Sequence, residues 1–299
     1  MSIVVVGSVA YDSIKTPQGS VERVLGGAAC YFSLAAGFFT DVKIVAAVGE
    51  DFEQEHIDLL KGKGVEISGL DRMPGKTFHW SGEYSGDMNT ATTRDTQLGV
   101  FADFNPKLSE SHRKTPFVFL ANIDPELQIN VLDQMDNPKL VALDTMNFWI
   151  TGKPKELQKA LGRIDMLFVN DGEAKMLAGS DNIMRAAREI RAMGPKCVVI
   201  KRGEYGAIIF HEAGMFAVPA YPLETVFDPT GAGDSFGGGF MGYLAQTGEA
   251  TMENIRTAAV YGSTVASFAC EDFSLRRLAR LAKPEIEERF EFFRELTKF

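Results

Sequence analysis

The order of apolar segments along the chain predicts an α/β fold, with a mostly parallel central sheet and helices on both faces. Strand-length apolar runs occur at 3–7, 43–48, 117–121, 139–144, 166–169 and 197–200. Helical spacing of apolar residues occurs near 28–38, 52–62, 125–135, 155–162, 172–178 and 182–193. This alternation is typical of parallel strands joined by helices, and continuous apolar runs indicate strands buried on both faces.

Later segments add helices to the same core. Three more are predicted at 233–246, 252–269 and 284–297, and Pro284 suits the first turn of the last one. No internal repeat, low-complexity tract or linker divides the chain. We therefore expect a single α/β domain over residues 1–299.

Two segments, at about 14–24 and 76–104, interrupt the alternation. The second contains four large aromatic residues and has no helical spacing; these residues are Phe78, Trp80, Tyr84 and Phe101. Both segments are expected to form antiparallel strands outside the main core. Because exposed aromatic patches are unfavourable in water, the strands should cover a ligand, extend a sheet edge or meet a second subunit.

Composition limits the classes of function. The chain has 299 residues, of which 45% are hydrophobic and 24% charged. Its net charge of -9 argues against a nucleic-acid partner, and no apolar run reaches the length of a membrane span. Because the chain begins with a predicted strand, no signal peptide is expected. Three cysteines among apolar neighbours suit reduced thiols in the cytoplasm, and four scattered histidines show no metal-binding spacing.

A glycine-rich run at 228–240 is the most informative motif. It reads Asp-Pro-Thr-Gly-Ala-Gly-Asp-Ser-Phe-Gly-Gly-Gly-Phe, and helical spacing begins within it. Gly231 and Gly233 permit a tight turn into a helix whose first amides are unpaired, which is a site for phosphate oxygens. Asp234 follows at once and is placed to take a proton from an attacking hydroxyl. If this run is considered alone, an ordinary glycine turn with Asp234 as the capping residue of the helix explains the same residues.

The longer string resembles the signature of the ribokinase (PfkB) family of carbohydrate and nucleoside kinases. The resemblance implies a ribokinase-like fold in which the segments at 14–24 and 76–104 form a small β lid over the substrate, excluding water from the reaction. It implies that Ala232 joins Gly231, Gly233 and Asp234 in catalysis. The amides of residues 232–234 would then stabilise charge on the transferred phosphoryl group.

Further matches to the family concern the acceptor site. Asp12 follows the first strand, Gly26 and Gly27 open an apolar helix, and Asn147 follows another strand. These residues would bind the hydroxyl groups of the acceptor, although Asp12 and Asn147 also suit turn-forming roles. The family often has Asn where this chain has Tyr31, which leaves the acceptor open.

The remaining matches imply the nucleotide and its metal. Asn170 and Glu173 match an element associated with magnesium and phosphate, through water, and alone would be read as a helix cap. A turn between two strands beside the nucleotide would add Lys201, Gly203 and Gly206, and the glycine loop would add Thr230. Small residues near Ala258, Ala259, Gly262 and Ala266 would form a wall for the adenine, although they also suit ordinary helix packing. Asp228 is expected to orient the glycine loop or to bind a monovalent cation.

These features predict an ATP-dependent kinase that phosphorylates a hydroxyl of a sugar. A nucleoside such as adenosine and an inositol-type polyol are the alternative acceptors. A binding protein that keeps the fold without turnover is a third reading, and an intact Asp234 argues against it. The lid strands would also provide the interface of a homodimer of this kinase.

Overall fold

The computed structural model describes residues 1–86 and 88–298. Its strands are β1 (Ser2–Val6), β2 (Ala10–Thr16), β3 (Gly19–Gly26), β4 (Asp41–Gly49), β5 (Val65–Met73), β6 (His79–Tyr84), β7 (Ala91–Gln97), β8 (Phe117–Leu120), β9 (Leu140–Asp144), β10 (Met166–Asn170), β11 (Cys197–Lys201), β12 (Ala207–His211) and β13 (Gly214–Val218).

The helices are α1 (Ala28–Ala36), α2 (Gln54–Gly62), α3 (Glu110–Arg113), α4 (Pro125–Gln134), α5 (Asn147–Gly152), α6 (Pro154–Leu161), α7 (Asp171–Ala178), α8 (Ile183–Ala192), α9 (Ala232–Thr247), α10 (Met252–Ala269), α11 (Arg276–Arg280) and α12 (Lys283–Leu296). Short 3-10 helices cover Gly99–Asp103 and Gly203–Tyr205. Each strand and helix predicted for the main core is present within a few residues of its expected bounds.

The described residues form a central sheet of nine strands, in the order β13-β12-β11-β10-β9-β8-β1-β4-β5. The strands from β11 to β5 in this order are parallel to one another. At one edge, β12 runs antiparallel to both of its neighbours, β11 and β13. The predicted α/β architecture, mostly parallel and covered on both faces, is confirmed.

Strand β1 shows why these strands have continuous apolar sequences. Ile3 and Val5 belong to a core cluster that includes residues of α1, α9 and α10. Val4 and Val6 point to the opposite face and join a cluster with residues of α6 and α8. All four side chains are fully buried. Since both faces are covered by helices, a polar residue has no favourable position within such a strand.

Glycines inside α9, among them Gly238 and Gly239, allow this helix to pack closely on its neighbours. A Cβ atom at Gly238 would lie 2.5 Å from the carbonyl oxygen of Phe32 in α1, and one at Gly239 would lie 3.0 Å from that of Tyr261 in α10. Glycine within a helix costs about 1 kcal/mol relative to alanine. The close contacts with α1 and α10 offset that cost and fix the N-terminus of α9.

A second sheet of four strands lies beside the main sheet, in the order β3-β2-β6-β7. The pairs β2–β3 and β6–β7 are antiparallel as predicted, but the central pair β2–β6 is parallel. Strand β2 begins at Ala10, before the predicted boundary at 14, so Asp12 lies within a lid strand. Its expected position just beyond the end of the first strand was wrong, because residues 7–9 already separate β1 from β2.

The expected strand at 95–101 ends early. It stops at Gln97, and Gly99, with a φ of +52°, begins the 3-10 helix. Phe101 stacks between Phe78 and Phe104, with ring centroids 5.6 and 5.2 Å away, and packs against the main core. Its assignment to the lid was therefore wrong, and it anchors the lid connection to the central domain.

Among residues 1–86 and 88–298, no helix combines the length and apolarity needed to cross a bilayer.

We expect Phe101→Ala to lower the free energy of unfolding by about 2 kcal/mol or more, because it removes a stacked ring from the edge of the core. Leu98→Ala in the same connection is the control, since Leu98 is 48% exposed and its loss should change stability by less than about 0.5 kcal/mol. Urea unfolding measures both. Equal effects from the two variants would contradict the anchoring role.

Candidate active site

The candidate site lies at the carboxyl edge of the parallel strands. Asp144, Asn170 and Lys201 are the last residues of β9, β10 and β11, three adjacent strands. Open α/β sheets bind ligands at this edge. The N-terminus of α9 reaches the same edge, because Lys201 Nζ lies 3.1 Å from the position that a Cβ atom of Gly233 would take.

The glycine loop, residues 228–233, turns the chain into α9 as predicted. Gly231 is the N-cap with a φ of +73°, in the left-handed region. A Cβ atom there would lie 2.2 Å from the ring of Tyr31, so only glycine allows this contact. The amide of Ala232 donates to the carbonyl of Pro229 at 3.1 Å. Among the described residues the amide of Gly233 has no backbone acceptor and is left for an anion, whereas the amide of Asp234 donates to its own carboxyl.

Asp228 holds the glycine loop to a distant segment. Its Oδ1 accepts from the amide of Thr230 and its Oδ2 from the amide of Ser274, both at 2.9 Å. The side chain is 1% exposed. Asp228 therefore orients the loop, which is one of the two roles that the sequence predicts.

A buried ion pair stands beside the loop. Lys201 Nζ donates to Asp144 Oδ2 at 2.6 Å. Burial alone would lower the pKa of Lys201, but the carboxyl groups of Asp144 and Glu173 raise it overall, so the lysine stays charged. Sequence reasoning missed Asp144, although it ends a strand as Asn170 and Lys201 do.

The pKa of Asp234 is raised to about 7, first by burial and next by the negative charge of Asp144, while Lys201 opposes the shift. A helix N-terminus favours the carboxylate form and by itself would lower this pKa. Burial outweighs the helix dipole here. A pKa near the working pH suits a general base.

Asn170 and Glu173 form a reciprocal cap at the start of α7. Asn170 Oδ1 accepts from the amide of Glu173 at 2.8 Å, and Glu173 Oε2 accepts from the amide of Asn170 at 2.7 Å. Burial also raises the pKa of Glu173 to about 7, and the Lys201 and Asp144 charges act on it in opposite directions. Glu173 is thus both a capping residue and a member of the charged cluster.

The carboxylates of this cluster do not form a ready-made metal cage. Among the described residues, the only set of three close acidic or histidine ligand atoms is Glu53, Glu55 and His56, on the surface beside α2. Magnesium commonly takes one or two carboxylates together with water and substrate phosphates. Glu173 at the cluster is compatible with that partial, water-mediated kind of binding.

On the other side of the glycine loop, Asp12 packs directly on the start of α1. A Cβ atom at Gly26 would lie 1.9 Å from Asp12 Oδ2, so this contact requires glycine. The carboxyl accepts a hydrogen bond from the amide of Gly27. Burial, with the charge of Asp228 next, raises the pKa of Asp12 to about 7. Asp12, Gly26 and Gly27, which the sequence assigns separately to the acceptor site, therefore lie together.

Tyr31 fills the space between Asp12 and the glycine loop. It is 1% exposed, and its hydroxyl has no hydrogen-bond partner among the described residues. Beyond burial, the charges of Asp12 and Asp228 contribute to raising its pKa. Tyr84, at the end of lid strand β6, is nearby and accepts a hydrogen bond from Thr230 Oγ1 at 3.3 Å. Tyr84 thus links the lid to the glycine loop.

Asn147 is apart from this group. It is exposed at the start of α5, and its Oδ1 accepts from the amide of Phe148 at 2.9 Å. This is the backbone-satisfying role that the sequence left open beside the acceptor role.

A cavity of about 450 Å³ adjoins the glycine loop and Lys201. As predicted, Gly203 and Gly206 line it. Of the four residues expected to form a wall for the adenine, Ala266 lines this cavity, whereas Ala258, Ala259 and Gly262 are buried in the packing of α10. The face of α10 that lines the cavity presents Ser263, Ala266, Ser267 and Cys270.

The family model for pfkB family carbohydrate kinases matches residues 1–279. The chain belongs to this family. It is therefore a kinase, a phosphotransferase whose acceptor is an alcohol group, and the reading as a non-catalytic binding protein is set aside.

Two relatives and one solved structure show the range of this similarity. A cytidine kinase of Thermococcus kodakarensis is 30% identical over 251 residues, covering 81% of this chain and 87% of the relative. A nucleoside kinase of Methanothermobacter thermautotrophicus is 26% identical and covers 90% and 89% of the two chains. The fructokinase of Vibrio cholerae, solved with fructose, ADP and calcium, has a TM-score of 0.79 at 18% identity, covering 97% of this chain and 98% of that one.

The unpartnered hydroxyl of Tyr31 generates a stability prediction. Tyr31→Phe removes a buried donor that lacks an acceptor, so the ligand-free protein should become more stable by about 1 kcal/mol. Chemical unfolding without ligands measures this change. A loss of similar size would mean that the hydroxyl is satisfied in solution.

The raised pKa values of Asp12, Glu173 and Asp234 generate a pH prediction. The folded state holds these protons more tightly than the unfolded chain, whose carboxyls titrate near about 4. The stability that these three groups contribute is therefore fully present below about pH 4 and is lost as pH rises towards 7. Asp12→Asn should reduce the loss between pH 5.5 and 7.5 by about 1 to 2 kcal/mol.

Unfolding curves across this pH range, with Asp58→Asn on the exposed face of α2 as the control, measure the effect. Identical pH slopes for the unaltered protein and Asp12→Asn would show that Asp12 is not held protonated.

Proposed function

We propose that this protein is an ATP-dependent nucleoside kinase that transfers the γ-phosphoryl group to a ribose hydroxyl. The observation that carries the proposal is the pairing of two buried carboxyls across one cleft. Asp234 lies at the anion-binding helix end, and Asp12 lies close enough for the Asp234 charge to raise its pKa further. Asp234 suits proton transfer, and Asp12 suits recognition of the acceptor's hydroxyl groups.

The cavity and the glycine loop support ATP as the phosphoryl donor. The amide of Gly233 and the charged Lys201 converge where a terminal phosphate would lie. The cavity beyond them contains the ring of Tyr221 and the apolar side chains of Leu223 and Val226, which suit a flat base. Magnesium, when bound, would neutralise phosphate charge, and Glu173 is the carboxylate in place to hold it through water.

The chain's own residues then account for the transfer. The acceptor hydroxyl attacks the γ-phosphorus as its bond to the bridging oxygen breaks, and ADP leaves. Asp234 takes the hydroxyl proton, which a pKa of about 7 permits. Lys201 and the Gly233 amide stabilise the charge that develops on the moving phosphoryl group. The lid strands exclude water, which would otherwise accept the group.

Similarity and site chemistry support a nucleoside acceptor. The two relatives described above act on cytidine and on nucleosides according to their names. Two oxygens of Asp12 suit the paired hydroxyls of a ribose, and the ring of Tyr84 offers a face for a base. A free sugar is the second candidate, supported by the family description as carbohydrate kinases.

Asp234→Asn should lower kcat by at least about 100-fold while leaving ATP binding intact, because the change keeps shape and removes the proton acceptor. Asp171→Asn, in the first turn of the neighbouring α7, is the matched control and should change kcat little. Steady-state kinetics with calorimetry of ATP binding separates the two parameters. More than about a tenth of the original kcat in Asp234→Asn would exclude this residue as the base.

An acceptor panel with Asp12→Asn tests the substrate class. We expect turnover with ribonucleosides to exceed that with free pentoses and hexoses. Asp12→Asn should weaken binding of the preferred acceptor by about 10-fold or more, as expected for loss of charge-assisted hydrogen bonds, without changing ATP affinity. Faster turnover of a free sugar would move the proposal to a sugar kinase, and unchanged acceptor affinity would remove Asp12 from the site.

Three further properties belong to the same proposal. The three free cysteines support a cytoplasmic location. The outer strands β3 and β7 of the lid are available to pair with a second copy, and light scattering tests this dimer. A monovalent cation near Asp228 would make the rate differ between sodium and potassium buffers.

A further inference from the structure

The tip of the lid hairpin reaches the nucleotide cavity. Met88 and Asn89, in the turn between β6 and β7, line the same cavity as Lys201, Gly203 and Gly233. The lid therefore covers part of the nucleotide cavity as well as the acceptor side of the cleft.

The contact between the hairpin tip and the main domain is close. Asn89 Oδ1 would be 2.0 Å from a Cβ atom at Gly203, which has a φ of +55°. The amide side chain can lie there only because residue 203 is glycine. Gly203 follows Lys201 by two residues, so Asn89 lies beside the turn that positions the buried lysine.

The same hairpin is tied to the acceptor side. Tyr84 ends β6 and is bonded to Thr230 of the glycine loop. Further along β6, Trp80 pairs in register with Asp12 of β2. One continuous sheet thus carries Asp12 at one end and Met88 and Asn89 at the other.

We propose that Met88 and Asn89 bind the nucleotide, so that ATP itself holds the lid closed over the acceptor site. The inference rests on the proposed ATP-dependent function and adds two residues to it. The Asn89 amide supplies hydrogen-bonding groups for a phosphate or ribose oxygen, and the Met88 thioether supplies an adaptable apolar contact.

This arrangement couples the two substrates. Nucleotide bound to the hairpin tip favours the closed lid, and the closed lid places Asp12 against the acceptor. Each ligand then raises the affinity for the other by the same factor, as linkage requires. Closure by the nucleotide also precedes transfer, which protects the phosphoryl group from water.

The test uses AMP-PNP with Mg²⁺ as the probe and needs no acceptor. Calorimetry should show that Met88→Ala combined with Asn89→Ala raises the Kd for AMP-PNP at least fivefold. Arg94→Met is the control on the same sheet, because Arg94 is exposed and pairs with Glu83, and its Kd should stay within twofold. Hydrogen exchange should show that AMP-PNP protects the amides of residues 88–91 and of β2 in the unaltered protein, and that the double variant loses this protection.

An unchanged Kd in the double variant, or a lid whose exchange is indifferent to AMP-PNP, overturns the inference while leaving the kinase proposal standing. Failure of the unaltered protein to bind AMP-PNP at all contradicts the ATP assignment and, with it, the role of the hairpin tip.

Discussion

The ion pair between Lys201 and Asp144 is the interaction on which the rest of the site depends. It places a positive charge in a group of partly or wholly buried acids that includes Glu173 and Asp234. Removing one partner of such a buried pair is costly, because the other charge is left without compensation. The pair exists because β9 and β11 flank β10 in a parallel sheet, so that their last residues meet at one edge. The order of the strands therefore determines which charged groups meet at the site.

The acids of the cleft illustrate how a binding site differs from a stable core. Asp12, Glu173 and Asp234 all prefer their protonated forms to an unusual degree, since burial penalises the carboxylates. Tyr31 adds a hydroxyl without a partner. Each feature is unfavourable in the empty protein and becomes useful when hydroxyls, phosphates and a metal arrive. Unsatisfied polar groups of this kind concentrate at functional sites.

Local sequence was sufficient for much of the fold and for part of the site. Continuous apolar runs fixed β1, β8 and β10, and the glycine run located the start of α9, because these signals depend on neighbouring residues alone. Asp144 was missed, and Tyr84 was expected only as a lid aromatic, since the role of Asp144 comes from strand order and that of Tyr84 from its hydrogen bond with Thr230. Neither relation can be read from the residues adjacent in the sequence.

The remaining errors have equally specific causes. Of the residues expected to line the cavity, Ala266 does so but Ala259 and Gly262 do not, because close packing on the glycines of α9 orients α10 so that residues 263, 266 and 267 face the cavity. Phe101 looked like a strand residue until Gly99, in the left-handed region, ended the strand. The helix dipole at Asp234 is visible in the sequence, whereas the burial among other acids that raises its pKa is not.

In the proposed complex, one cleft presents a phosphoryl group to Asp234 and a ribose to Asp12. A crystal structure with AMP-PNP, Mg²⁺ and cytidine is the decisive measurement. We expect the terminal phosphate to lie within hydrogen-bonding distance of the Gly233 amide and Lys201. One ribose hydroxyl should lie between that phosphate and Asp234, and other ribose hydroxyls should bind Asp12. A nucleoside bound with its ribose away from Asp12, or a terminal phosphate away from the N-terminus of α9, would contradict it.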